Sequence, residues 1–213
     1  MIRRLIMGIL ISSLVVVLPV LGNREILLAP QIWILVLFAI LASLFQPAYN
    51  PFTITVKSGD RGTGAQIIWS IYATQFAALL ETAYLRYPVS VQWDIITTIA
   101  LASMTLGLLL RTWAVFTLGN LFTMHLAVQR DHAIIRKGPF GIVRHPSYLG
   151  AFILYMATTI FLHAWFSMAA VIVILPCAFL RRIYYEEKLL KEEFGEQYES
   201  YRSEVKGILP RIW

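Results

Sequence analysis

Cysteine is almost missing from this sequence: Cys177 is the only one in 213 residues. A disulfide framework and a thiolate metal cluster are therefore excluded. The apolar run around Cys177 predicts burial, which raises a thiol pKa and makes it a poor nucleophile. Charge is scarce as well. Only 14% of residues are charged and 58% are hydrophobic, with a mean hydropathy of +0.68. A soluble domain carries about a quarter charged residues, so a polytopic membrane protein is expected instead. There is no HExxH and no histidine pair at i, i+4, hence no metal site is expected. The glycine-rich run SGDRGTG at 58–64 lacks the preceding strand and the Lys-Ser/Thr pair of a phosphate loop. It reads as a turn. No internal repeat, heptad or low-complexity segment is present.

What the chain has in quantity is long apolar runs. Six are expected to span a membrane: Leu5–Leu21, Ile32–Phe45, Ile67–Leu85, Val91–Leu118, Tyr148–His163 and Trp165–Leu180. About 20 residues cross a bilayer upright, and polar flanks complete the shorter runs. The first run follows Arg3-Arg4, which leaves a secretory signal open as its alternative. The end of the fourth run, Arg111 to Leu118, is expected to protrude from the bilayer. Six crossings put sixteen of the eighteen lysines and arginines on one face, leaving only Arg24 and Arg86 opposite. Positive charge gathers on the cytoplasmic side. The chain is thus expected to be an all-α, multi-pass membrane protein with both termini cytoplasmic. The net charge of +6 is read as this topology, not as a nucleic-acid footprint.

Polar residues collect near the cytoplasmic helix ends: His125, Gln129, Asp131, His132, Arg144, His145, Ser147, Tyr148, Arg182, Glu186 and Glu187. Intramembrane and near-membrane polarity of this kind marks function. His145-Pro146 reads as a helix start, with proline in the first turn. A helix N-terminus there offers free N–H groups and a positive dipole end to an anion. Arg182 and Glu186 are four apart and share a helix face. Arg144 is read as a positive-inside anchor, Tyr184, Tyr185 and Trp165 as interface aromatics, and Glu81 as a headgroup contact or a partner of Arg86. After Leu180 the apolar spacing over Glu186 to Tyr201 predicts one amphipathic helix on the membrane face.

The ordered pair GPFGIVRHPSYLG (138–150) and EEKLLKEEFGEQYESY (186–201), separated by a helical hairpin, resembles the isoprenylcysteine carboxyl methyltransferase family. The likeness runs from about Leu118 to the C-terminus, and the earlier spans match only in hydropathy. It implies a cytosol-facing pocket for S-adenosyl-L-methionine. In that pocket Gln129, His132, Ala133, Ile134, Ile135, Phe140, His145, Pro146, Ser147, Tyr148 and Glu186 would hold the cofactor. Arg182 would face the methyl acceptor, so Arg182 and Glu186 are the expected catalytic pair. The family's tyrosine is Phe140 here, a lost hydroxyl that leaves a ring able to stack on adenine. Residues 1–117 would shape the lipid side and 118–213 the cofactor half of one membrane domain.

Methyl transfer from a sulfonium needs in-line approach and orientation more than acid–base help when the acceptor is an anion. A carboxylate acceptor would use the bidentate grip of Arg182. An amine acceptor would need a base, for which His145 or Glu187 is available. The expected partners are membrane lipids and a lipid or prenylated acceptor, with no nucleic acid. Isoprenylcysteine carboxylate is the leading acceptor, and a phospholipid amine is its alternative. A sterol-type NADPH-dependent membrane reductase and a non-catalytic membrane scaffold are the rival classes.

Overall fold

A computed structural model describes residues 10, 13–45, 61–122 and 134–208. These residues are helical, with short 3-10 turns and one isolated bridge. Short helical pieces at 13–20 and 24–28 lead into α1, Pro30–Phe45. Then follow α2, Thr63–Leu80; α3, Ile95–Leu118; α4, Pro146–Phe161; α5, Trp165–Phe194; and α6, Glu196–Glu204. By length and composition α3 and α5 are able to cross a membrane, while α1 and α4 are apolar but shorter.

The hairpin of α4 and α5 turns at His163, in the left-handed region at φ 51°. The first N–H groups of a helix have no internal partner, and α5 finds its partner on another element. The Glu81 carboxylate, in the helical turn after α2, accepts from the N–H groups of Phe166 (3.1 Å) and Ser167 (2.8 Å). It also accepts from the Ser167 hydroxyl at 2.8 Å and from Arg86 Nε at 2.8 Å. Glu81 is buried and therefore spends its charge on a helix cap, not on headgroups. At the same end Asp94 caps α3, accepting from the Thr97 N–H at 2.7 Å, and meets His163 Nε2 at 3.1 Å.

Helices α3 and α4 cross at close range because Gly107 and Gly150 face each other. A Cβ on Gly150 would lie 2.7 Å from the Arg111 nitrogen and 2.8 Å from the Gly107 carbonyl oxygen. Small residues at a crossing let two backbones approach this closely. Around the crossing Met104, Leu108, Leu154 and Ala157 join Ile32, Leu35 and Val36 of α1 in the main apolar core. A second core of Ile71, Ala151, Val171, Leu175 and Phe179 seals α2 and α4 against α5.

Two expectations are corrected here. The stretch from Glu186 to Tyr201 is not one helix: α5 runs on from the apolar hairpin to Phe194, and α6 begins at Glu196. Gly195 stands between them at φ 48°, a region where glycine avoids the Cβ penalty. Cys177 is exposed on the outer surface of α5. A helix meeting lipid is apolar on both faces, so hydropathy does not reveal which side faces inward.

Candidate active site

Pro146 opens α4 in its first turn, with His145 as the N-cap residue. The first intrahelical-type bond runs from the Leu149 N–H to the His145 carbonyl at 3.2 Å. The N–H groups of Ser147 and Tyr148 precede it and belong to the free end of the helix. One turn along, the Tyr148 hydroxyl donates to Glu186 Oε2 at 2.7 Å and accepts from Arg182 Nε at 3.3 Å. The i, i+4 pair on α5 is thus joined to the start of α4 through a single phenol. The Tyr148 ring also packs on Phe179 and His145, with centroids 5.5 and 5.9 Å away. Arg182 is buried, and its NH1 donates to Thr63 Oγ1 at the start of α2 at 3.0 Å.

Beside this cluster lies a charged lock. Arg144 Nε and NH2 donate to Glu187 Oε1 at 3.0 and 2.8 Å. His145 Nε2 meets the same oxygen at 2.9 Å. Arg144 NH1 donates to the carbonyls of Val205 and Arg202. Burial alone would raise the Glu187 carboxyl. The hydrogen bonds and charges of His145 and Arg144 outweigh it and hold the group at about 2. This corrects two readings. Arg144 is a buried tie between the loop and α5, not a headgroup anchor. Glu187 is too weak a base at neutral pH to deprotonate an amine, and His145 is committed to it.

The segment after α6 completes the lock. Val143 and Lys206 form a parallel bridge, with the N–H groups of Arg144 and His145 donating to the carbonyls of Lys206 (2.8 Å) and Gly207 (3.1 Å). Tyr201 donates to the Phe140 carbonyl at 2.7 Å. Phe140 is buried in the turn Gly138–Gly141, which rests on the end of α3 near Trp113 and Thr117. Ile134 and Ile135 are half-buried in the irregular stretch before it. Gln129, His132 and Ala133 lie outside the described residues, as do His125 and Asp131.

Arg111 is a residue of this cluster that the sequence did not single out. Its side chain is turned inward. Only 9% of it is exposed, and its NH1 donates to the carbonyl and hydroxyl oxygens of Ser147, each at 3.1 Å. Its Nε is buried without a partner, and no carboxylate among the described residues pairs with it. The signal available in the sequence was a lone arginine inside an apolar run, which is expensive unless used.

Comparison with known proteins bears on this arrangement. The sequence model of the Isoprenylcysteine carboxyl methyltransferase (ICMT) family matches residues 98–192. Protein-S-isoprenylcysteine O-methyltransferase B of Arabidopsis thaliana is 36% identical over 119 residues, 55% of this chain and 60% of that protein. A probable protein-S-isoprenylcysteine O-methyltransferase of Oryza sativa subsp. indica is 32% identical over 145 residues, covering 67% of this chain and 76% of its own length. The chain belongs to the isoprenylcysteine carboxyl methyltransferase family. The solved structure of the eukaryotic intramembrane Ras methyltransferase ICMT superposes with a TM-score of 0.59 at 20% identity, covering 99% of this chain and 97% of that one. That likeness establishes the fold, an all-helical membrane architecture. In this member of the family, α3 to α5 carry the matched region and the candidate site together. The chain spans less than two thirds of the Arabidopsis relative.

The residues present fit the methyl donor of this family, S-adenosylmethionine. Among the described residues Glu186 takes one hydrogen bond, on Oε2, which leaves Oε1 able to accept from a further donor. The free end of α4 offers N–H groups to a carboxylate.

Proposed function

We propose that this chain is an integral membrane methyltransferase that esterifies the carboxylate of an isoprenylcysteine at the cytoplasmic face. The observation that carries the reading is the Tyr148 hydroxyl bonded to both Glu186 and Arg182. An anion-binding and a cation-binding group, from two helices, thereby share one place beside a helix N-terminus. S-adenosylmethionine, held by Glu186, the start of α4 and the loop carrying Ile134, Ile135 and Phe140, supplies an electrophilic methyl group on a sulfonium. Gln129, His132 and Ala133 complete that pocket in this proposal. Arg182, which donates to the Tyr148 hydroxyl, and Arg111, which donates to the neighbouring Ser147, orient the acceptor carboxylate and keep it ionised. Such an acceptor needs positioning and no base, in keeping with the pairing of His145 and Glu187. An ammonium acceptor would meet two guanidinium groups and no free base, so the carboxylate is favoured over the phospholipid amine.

Six crossings with both termini inside put this site at the cytoplasmic surface. The nucleoside then enters from water and the prenyl chain from the bilayer, along the side shaped by residues 1–117. Purified protein in detergent, given methyl-labelled S-adenosylmethionine with either an S-farnesylcysteine derivative or phosphatidylethanolamine, tests the reading. Base-labile label on the prenylcysteine is expected. Base-stable label in the phospholipid, or no label with either acceptor from folded protein, overturns it.

A further inference from the structure

Away from the proposed pocket, two arginines share one aromatic ring. The guanidinium carbons of Arg61 and Arg181 lie 5.2 and 5.8 Å from the centroid of Tyr185. Arg181 NH1 donates to Gln66 Oε1, and its NH2 donates to the Arg61 carbonyl at 3.0 Å. Both arginine side chains are exposed. Neither has a carboxylate partner among the described residues. Five other cations on this side are compensated, although Lys137, Lys206 and the buried Arg111 also have no carboxylate partner among the described residues. Arg136, Arg144, Lys188, Lys191 and Arg202 each face a glutamate within 4 Å. Two like charges held side by side on a ring repel unless an anion lies between them, so the pair is an uncompensated cationic site.

Its height along the fold says which anion. Arg181 follows Leu180, the last residue of the apolar run, and Leu180 is exposed. On α2, Trp69 and Tyr72 expose apolar surface two to three turns beyond Arg61. The guanidinium pair therefore stands where outward-facing apolar surface gives way to polar surface, which is where a phospholipid places its phosphate. We propose that Arg61 and Arg181, backed by Tyr185, bind the phosphate of an anionic phospholipid of the cytoplasmic leaflet. Basic pockets between spans on this side suit such headgroups. The bound phosphate ties the start of α2 to α5 at the point where Arg182, the next residue, turns inward to Thr63. The site is independent of the proposed methyl transfer and does not require it.

Native mass spectrometry of the purified protein in neutral detergent tests this, with phosphatidylglycerol and phosphatidylcholine titrated separately. Wild type is expected to retain one phosphatidylglycerol in preference to phosphatidylcholine. Removing one juxtamembrane basic residue weakens attraction to anionic lipid about fivefold. R61Q and R181Q should each show that loss, and the double variant about 25-fold. Equal retention of phosphatidylglycerol by wild type and a folded double variant, checked by circular dichroism, overturns the proposal. Displacement of the lipid by millimolar inorganic phosphate does so too, because a free anion is then the ligand. Wild type alone gives a further reading that needs no variant. Its preference for phosphatidylglycerol must weaken as salt is raised toward about 1 M, where the screening length is near 3 Å. A salt-independent preference also overturns it.

Discussion

Replacing Glu187 with glutamine removes one negative charge from a lock that joins the loop before α4, α5 and the segment after α6. The carboxylate is 16% exposed and the Arg144 side chain 6%. Loss of the partner therefore leaves a nearly buried guanidinium with only carbonyl acceptors. Breaking a buried ion pair from one side costs about 3–5 kcal/mol. Proton linkage gives a similar figure independently. Glu187 is held at about 2 against an ordinary 4.5, and one unit corresponds to about 1.4 kcal/mol, so ionisation of this group contributes about 3 kcal/mol. The sign follows from a depressed carboxyl. The contribution is complete above pH 4.5 and is lost as pH falls toward 2. E187Q in detergent at pH 7 is expected to unfold about 6–12 °C below wild type, at about 2–4 °C per kcal/mol for a chain of this size. From pH 5 downward the gap should narrow, to about half at pH 3 and to little near pH 2, because the unfolded chain takes up its proton at this position before the folded one does. Thermal unfolding followed by circular dichroism at a series of pH values measures both. A variant within about 2 °C of wild type at pH 7, or a gap that persists unchanged at pH 3, refutes the reasoning.

Y148F should keep the fold and weaken S-adenosylhomocysteine binding by about tenfold or more, the loss expected for a hydrogen bond to a charged group; calorimetry reads it, and unchanged affinity argues against the shared-phenol site. G150A puts a Cβ 2.7 Å from the Arg111 backbone, so α3 and α4 must separate, at a cost of about 1–3 kcal/mol; a lowered melting midpoint with lost methyl transfer is expected. E81A, at the far end of the hairpin, should destabilise by several kcal/mol through unpaired N–H groups on α5 and a stranded Arg86. In protein that remains folded its affinity for S-adenosylhomocysteine should match wild type, which separates a structural carboxylate from a ligand-binding one.

The hairpin, its turn at His163 and the start of α4 at Pro146 were legible because proline position and apolar length state them directly. That Arg182 and Glu186 share a helix face was legible from spacing, while the Tyr148 hydroxyl that joins them was not. Hidden from the sequence were relations of rotation and pairing. Nothing in the run IVRHPSY says that Arg144 turns inward to Glu187, because an arginine at a helix end satisfies the charge pattern equally well outside. Arg111 was missed because nothing in its own run says that it meets Ser147. Its true position depends on the Gly107–Gly150 crossing, which brings two backbones together only in three dimensions. Cys177 illustrates the same limit, since lipid and protein interior are alike to a hydropathy scale.

The bridge between Val143 and Lys206 has a consequence for biosynthesis. The loop ahead of α4 receives its backbone partners from a stretch made more than sixty residues later, after both arms of the hairpin. A nascent chain arrested before Lys206 would leave the N–H groups of Arg144 and His145 without these acceptors. The loop is therefore fixed only once the segment carrying Lys206 and Gly207 has been made and has folded back.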